Sequence, residues 1–152
     1  MSREYPDRPI VGIGVAVLRP GTGAAGAGAP EVLLVRRGKP PNLGSWALPG
    51  GGQELGETAA EAARREIAEE CGVRLGELHL TAIVDSIHRD PDGRVRYHYT
   101  IIDYAARWQG DAAVAGDDVS ELVWVPVDGL APYALWSEAH RVIGLARGLL
   151  GL

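Results

Sequence analysis

One cysteine, Cys71, is all that the 152-residue chain offers. That excludes an internal disulfide and suits a reducing compartment. Basic residues are also in short supply. Fifteen lysines and arginines against twenty aspartates and glutamates leave a net charge of −5 and a pI near 5.3. A nucleic-acid-binding surface needs a basic patch, so no nucleic-acid partner is expected, and a polyanionic ligand approaching this chain needs metal to accompany it. Long apolar runs are missing as well. No stretch nears the ~18 consecutive apolar residues of a membrane span, and MSREYPDRP at the N-terminus has charges and prolines where a signal peptide has an apolar core. The expectation is a cytoplasmic protein without membrane contact, one domain over residues 1–152 with a sizeable single core.

What is present is concentrated in residues 51–73, GGQELGETAAEAARREIAEECGV. Thr58 followed by Glu61 is a capping-box pattern. The alanines, glutamates, arginines and isoleucine that follow run without Pro or Gly, and Gly72 sits where helices commonly end. The spacing predicts a helix over residues 59–71. At about 100° per residue, Ala60, Ala63, Ile67 and Cys71 form one apolar stripe, which makes Cys71 a small buried hydrophobe. Beside it, Glu66, Glu69 and Glu70 stand at i, i+3 and i+4. Like charges at those spacings cost a few tenths of a kcal/mol per pair, and a divalent cation with oxygen ligands, Mg²⁺ first, offsets that repulsion. Ala59 and Ala62 share the acidic face one turn earlier and leave room above it.

A solvated surface face explains the same spacing. Two features favour the metal. Arg64 and Arg65 are too few to neutralise the acids one by one, and the preceding LPGGGQELGE frees the backbone to approach a ligand.

Elsewhere, residues 10–18 and Glu31–Arg37 read as strands, joined by PGTGAAGAGAP as a flexible hairpin connection. That tract has no Gly-Lys-Ser/Thr after it and opens no helix, so it is not a P-loop. Residues 77–88 and 94–108 read as paired strands around a turn at Asp90, Pro91, Asp92 and Gly93. On the second of these, Val95, Tyr97, Tyr99, Ile101 and Asp103 share one face, and His98, Thr100 and Ile102 the other; His88 and His98 read as structural. A last strand over residues 121–125 and a helix over 137–150 complete the pattern. Strands that flank helices without regular alternation predict a mixed sheet in an α+β, α/β/α layer arrangement.

Gly51, Glu57, and the run Arg65, Glu66, Ile67, Ala68, Glu69, Glu70, Cys71, Gly72, Val73 resemble the Nudix box at every defined position, WALPGG at residues 46–51 resembles its lead-in, and ELVWVPVDGL at 121–130 is similar to the family's last strand and turn. The resemblance implies a Nudix fold, an α/β/α sandwich with the loop-helix-loop packed on a mixed β-sheet. It implies Mg²⁺, with Mn²⁺ a substitute, held by Glu66, Glu69 and Glu70 and by the carbonyl of Gly50. Glu57 and Arg65 orient the acidic cluster. Glu66 or a later acid serves as the base, and among Asp117, Asp118 and Glu121 the last is favoured.

The implied reaction is hydrolysis of the diphosphate linkage in a nucleoside diphosphate derivative by an enzyme that resembles bacterial ADP-ribose pyrophosphatase-like members. ADP-ribose or a nucleotide sugar is the expected substrate. Pro91 lies too far beyond the box, and is too well explained by its turn, to mark ADP-ribose activity, and the SQPWPFPxS pattern of NADH-directed members is absent. Alternatives are a nucleoside triphosphate pyrophosphatase and, in another class, a non-catalytic nucleotide-binding effector module, against which the intact box argues. The resemblance also implies a homodimer.

Overall fold

The computed structural model describes residues 3–22, 28–39 and 42–152. Among these residues nine elements follow one another: β1 (Ile10–Arg19), β2 (Glu31–Arg37), β3 (Trp46–Ala47), β4 (Gly50–Gly52), α1 (Ala59–Cys71), β5 (His79–Arg89), β6 (Val95–Arg107), β7 (Val119–Pro126) and α2 (Ser137–Leu150), with a 3₁₀ turn before α2. Both helices span the residues expected of them. The short strands β3 and β4 were not expected; each is too brief to show a period-2 pattern, and β4 is three glycines. The middle of PGTGAAGAGAP, residues 23–27, lies outside the described residues. The strands on either side of it do pair antiparallel, Leu18 with Val32 and Arg19 with Glu31.

The strands form one mixed sheet, in the order β3-β2-β1-β6-β5. β1 runs parallel to β6 over its whole length, Ile10 opposite Tyr99 through Leu18 opposite Arg107. Along its other edge it is shared. Its C-terminal end pairs with β2, while its N-terminal end pairs with β4, Gly12 to Gly14 opposite Gly52 to Gly50. β2 pairs with β7 along its whole length, Glu31 opposite Pro126 through Arg37 opposite Val119, and meets β1 only at Glu31 and Val32, so the sheet opens between the β4 and β2 branches.

Period-2 alternation on the central strands sends side chains to both faces. Ala16, Leu18, Val32, Leu34 and Ala105 pack with Val142, Ile143, Ala146 and Leu150 of α2. Ile13, Val15, Val17, Leu33, Val35 and Ala106 pack with Ala62, Ala63, Ile67 and Cys71 of α1. A helix therefore covers each face, as the α/β/α expectation had it. The α1 stripe differs by one residue: Ala62 is fully buried with Ala63, whereas Ala60 is half-buried. Ala62 thus belongs to the core and does not shape the space above the acids. Among the described residues no helix is long and apolar enough to cross a membrane.

The ends of α1 are fixed locally. Thr58 Oγ1 accepts the Glu61 N–H at 3.1 Å, and Gly72, left-handed with φ 68°, donates its N–H to the Ala68 carbonyl. Burying Ile67 contributes roughly 1.5–3 kcal/mol and presses the helix onto the sheet. Ile67→Ala is expected to cost about 2–5 kcal/mol, read as a lowered urea midpoint with an unchanged slope.

Candidate active site

Arg65 is the hub of the loop and helix. Its guanidinium forms a fork on Glu57, Nε to Oε2 at 3.0 Å and Nη2 to Oε1 at 2.7 Å. Nη1 donates to Glu66 Oε1 at 2.8 Å and Glu69 Oε2 at 3.2 Å, and Nη2 also donates to the Gly52 carbonyl at 2.9 Å. Glu57 in turn accepts the Glu54 N–H, and its carbonyl takes the Gln53 side chain, so the loop before α1 closes around one ion pair. Its carboxyl is held below the usual range, chiefly by Arg65, and these same bonds keep Arg65 firmly charged. Arg64 faces elsewhere, capping the chain after α1 through the carbonyls of Leu75 and Gly76. One arginine therefore serves three glutamates.

The acids divide by burial. Glu69 is exposed and Glu66 and Glu70 are half-buried. Glu66 lies directly over Gly51, where a Cβ would collide with its carboxylate, so glycine at that position is what lets β4 and α1 close up. Burial raises the Glu66 pKa against the opposing pull of Arg65. Glu70 goes further: burial pushes it up to about 7, although Oε2 accepts the Gly50 N–H at 3.1 Å. Gly50 therefore stands against Glu70, next to the box, through its N–H. Cys71 is buried in the core, its thiol pushed up to about 12 by the same desolvation.

The opposite wall comes from residues distant in sequence. Gly116 donates its N–H to the Glu70 carbonyl at 2.9 Å, and Gly38 donates to the Asp118 carbonyl at 3.0 Å. These bonds tie the loop before β7 to the end of α1 and to the end of β2. The resulting cavity, about 350 Å³, is lined by Lys39, Glu66, Glu69, Glu70, Asp117 and Asp118. Lys39 Nζ pairs with Asp118 Oδ1 at 2.5 Å, which holds the Asp118 carboxyl below its usual range.

Glu121, the acid favoured as base, is not among the lining residues. Its carboxylate pairs with Arg36 Nη1 at 3.0 Å, because Glu121 and Arg36 are direct cross-strand partners on β7 and β2. Lys39 is a lining residue that the sequence reading passed over. It is the chain's only lysine, yet nothing in the residues around it ties it to acids far along the chain.

Five carboxylates and no soft ligand make a donor set suited to a hard divalent cation. As they stand, no three acidic, histidine or cysteine side chains among the described residues converge on one point. Arg65 draws Glu66 and Glu69 to itself, and Gly50 draws Glu70. Side-chain rotation of Glu66 and Glu69 away from Arg65 is what convergence requires.

A second cavity, about 360 Å³, opens between β5 and the start of α2, lined by Ile83, Val84, Asp85, Trp136, Ser137, Glu138 and Arg141. Trp136 is 49% exposed there. Nearby, buried Asp103 has its pKa pushed up to about 6 by desolvation, with Arg141 opposing.

Comparison with known proteins bears on this arrangement. The model of the NUDIX domain family matches residues 8–144. The chain is 38% identical over 108 residues to an ADP-ribose pyrophosphatase of Methanocaldococcus jannaschii, covering 71% of this chain and 62% of that protein. It is 37% identical over 106 residues to the putative mutator protein MutT4 of Mycobacterium tuberculosis, covering 69% of this chain and 42% of that one. It therefore spans less than two thirds of the length of either relative. In fold it is similar to the NUDIX domain of Shewanella oneidensis NrtR, solved in complex with ADP ribose, with a TM-score of 0.76 at 23% identity over 95% of this chain and 90% of that one. The extent of the family match, over the segments that build the sheet and the acidic cleft, shows that the chain belongs to the NUDIX domain family.

Proposed function

We propose that this chain hydrolyses the diphosphate linkage of a nucleoside diphosphate derivative with Mg²⁺, or Mn²⁺ in its place, and that ADP-ribose or a nucleotide sugar is the substrate class. The observation that carries this reading is that Glu66, Glu69, Glu70, Asp117 and Asp118 line one cleft, with Glu70 kept in a partly desolvated position at a cost to stability. A surface face of a helix has no reason to bear that cost. The 38% identity to an ADP-ribose pyrophosphatase supports the substrate class.

Glu66, Glu69, Glu70 and the Gly50 carbonyl would hold the metal. When bound, the metal supplies charge neutralisation on the phosphates and lowers the pKa of water. Arg65, held by Glu57, keeps Glu66 and Glu69 beside the cleft, from where their carboxylates would turn onto the metal. Lys39 offers a point charge at the rim for a phosphate oxygen. For the proton of the attacking water, Asp117 replaces Glu121 as the favoured base. It lines the cleft, whereas Glu121 is committed to Arg36.

The exposed Trp136 indole beside Asp85 and Glu138 offers a stacking surface and acceptors for a ring that carries amino groups. The same reading places the protein in the cytoplasm as a homodimer, the latter tested by light scattering. A nucleoside triphosphate pyrophosphatase is the second reading, favoured by 35% identity over 115 residues to a nucleoside triphosphatase of Enterobacter sp.. An effector module that binds without hydrolysis is the third.

A panel of ADP-ribose, nucleotide sugars and nucleoside triphosphates with Mg²⁺ or Mn²⁺ separates them. AMP release from ADP-ribose is expected, inorganic pyrophosphate from triphosphates would favour the second reading, and tight binding with no turnover would favour the third. Arg65→Lys keeps the charge but loses the fork, so kcat is expected to fall at least about tenfold with the circular dichroism spectrum unchanged.

Glu70→Gln is expected to abolish metal-dependent turnover while raising stability. A glutamate whose folded pKa of about 7 exceeds its unfolded 4.5 binds more protons folded than unfolded between those values. Its cost is absent below about pH 4.5, grows as pH rises and is complete above about 7. In EDTA at pH 8 the variant should therefore gain up to about 3 kcal/mol, a gain that vanishes at pH 4. Wild-type turnover in the folded variant would sink the metal assignment.

A further inference from the structure

The chain before β1 does not simply trail into solvent. Tyr5 donates its N–H to the Arg96 carbonyl at 2.7 Å and its hydroxyl to Asp90 Oδ2 at 2.8 Å. The Arg94 guanidinium lies 4.2 Å from the centre of the Tyr5 ring. Glu4 pairs with Arg96 Nη2 at 2.7 Å and accepts the Tyr97 hydroxyl at 3.1 Å. These contacts pin the segment to the tip of the β5–β6 hairpin. Tyr5 is also held at φ 51°, a left-handed conformation that costs a bulky residue free energy and that persists because its surroundings impose it.

The turn at Tyr5 directs Arg3 back over β4. A Cβ at Gly52 would lie 2.9 Å from Arg3 Nη2, so the guanidinium rests on the bare glycine whose carbonyl receives Arg65. From there it acts electrostatically on Glu66 and Asp118, which lie on opposite walls of the cleft. Arg3 makes no hydrogen bond or ion pair with the described residues. A guanidinium so placed, with its donors uncommitted, is suited to bidentate contact with a phosphate.

We propose that the pinned segment is a clamp that presents Arg3 to the diphosphate of the substrate, as a binding and positioning residue supplied by sequence outside the Nudix box. The proposal rests on the hydrolase reading for its substrate class and on the geometry of residues 3–5 for its site. Arg3 meets the substrate in the ground state, so its contribution falls on binding more than on the chemical step.

The test uses the full chain with a C-terminal tag, comparing wild type, Arg3→Ala, Arg3→Lys and the doubly substituted Glu4→Gln/Tyr5→Phe. KM and kcat are measured for ADP-ribose at saturating Mg²⁺. In parallel, calorimetry gives the Kd of its non-hydrolysable α,β-methylene analogue with Mg²⁺. Arg3→Ala is expected to raise KM and Kd about tenfold with kcat within about twofold. Arg3→Lys should recover part of the loss, and loosening the clamp with Arg3 intact should give an intermediate rise.

Unchanged KM and Kd in Arg3→Ala would overturn the proposal. So would a lower Mg²⁺ requirement with KM unchanged, since Arg3 would then be only a counter-ion to Glu66. Analogue binding that weakens in Arg3→Ala while wild type turns over nothing would sink the hydrolase reading and leave Arg3 standing. Failure of wild type to bind the analogue at millimolar concentration overturns both.

Discussion

Everything at the acidic cleft depends on one guanidinium serving three carboxylates. Glu57, Glu66 and Glu69 all bond to Arg65, which also ties the helix to the Gly52 carbonyl. Without it, Glu66 and Glu69 would repel each other one turn apart and the loop would lose its closing bond. With it, the loop before α1, the helix and β4 are bonded to one group. Glu70 is the acid Arg65 does not reach, and it is also the one whose charge is most penalised by burial. The unit is thus satisfied on one side and electrostatically unfinished on the other, the side that faces Asp117, Asp118 and Lys39.

The sheet explains why that unfinished side opens into a cleft. β1 runs beside β6 over its full length but is shared between β4 and β2 on its other edge. Beyond Val32, β2 separates from β1 while staying paired with β7, and the end of β2 and the loop before β7 come against the C-terminal half of α1. Backbone bonds from Gly116 to Glu70 and from Gly38 to Asp118 lock this approach. Small residues at β4 make it close: Gly51 yields its side-chain space to the Glu66 carboxylate, and Gly52 to Arg3. The glycine run that frees the backbone also lets charged groups from two other segments meet over it.

The box helix was legible to the residue because its signals are local: a threonine cap, an uninterrupted run of helix formers and a left-handed glycine at the end. Its apolar stripe was nearly so, with Ala62 taking a core place expected of Ala60. An alanine is small enough to be buried on either side of a stripe, and only the curvature of the sheet beneath selects one. β3 and β4 were not legible, since two or three residues carry no period and a triple glycine has no strand propensity; they exist because β1 and β2 present unpaired edges to them. Glu121 is a different case. Its type and place before a strand suited a catalytic base, yet cross-strand register set it opposite Arg36.

The sequence by itself determined the chemistry on offer: which carboxylates share a helix face, that one arginine lies among them, that the two helices bracket a mixed set of strands, and that the acids present hard oxygen donors. Those properties depend on spacings of three to eight residues, within which the backbone geometry of a capped helix leaves little freedom. Tertiary structure alone decided which distant groups complete the site. Asp117 and Asp118 line the cleft and Glu121 does not, Lys39 stands at the rim, and Arg3 lies over Gly52 because Tyr5 and Glu4 anchor the segment to a hairpin some 90 residues away. Such meetings are set by strand order, register and long-range hydrogen bonds, which no local pattern in the chain encodes.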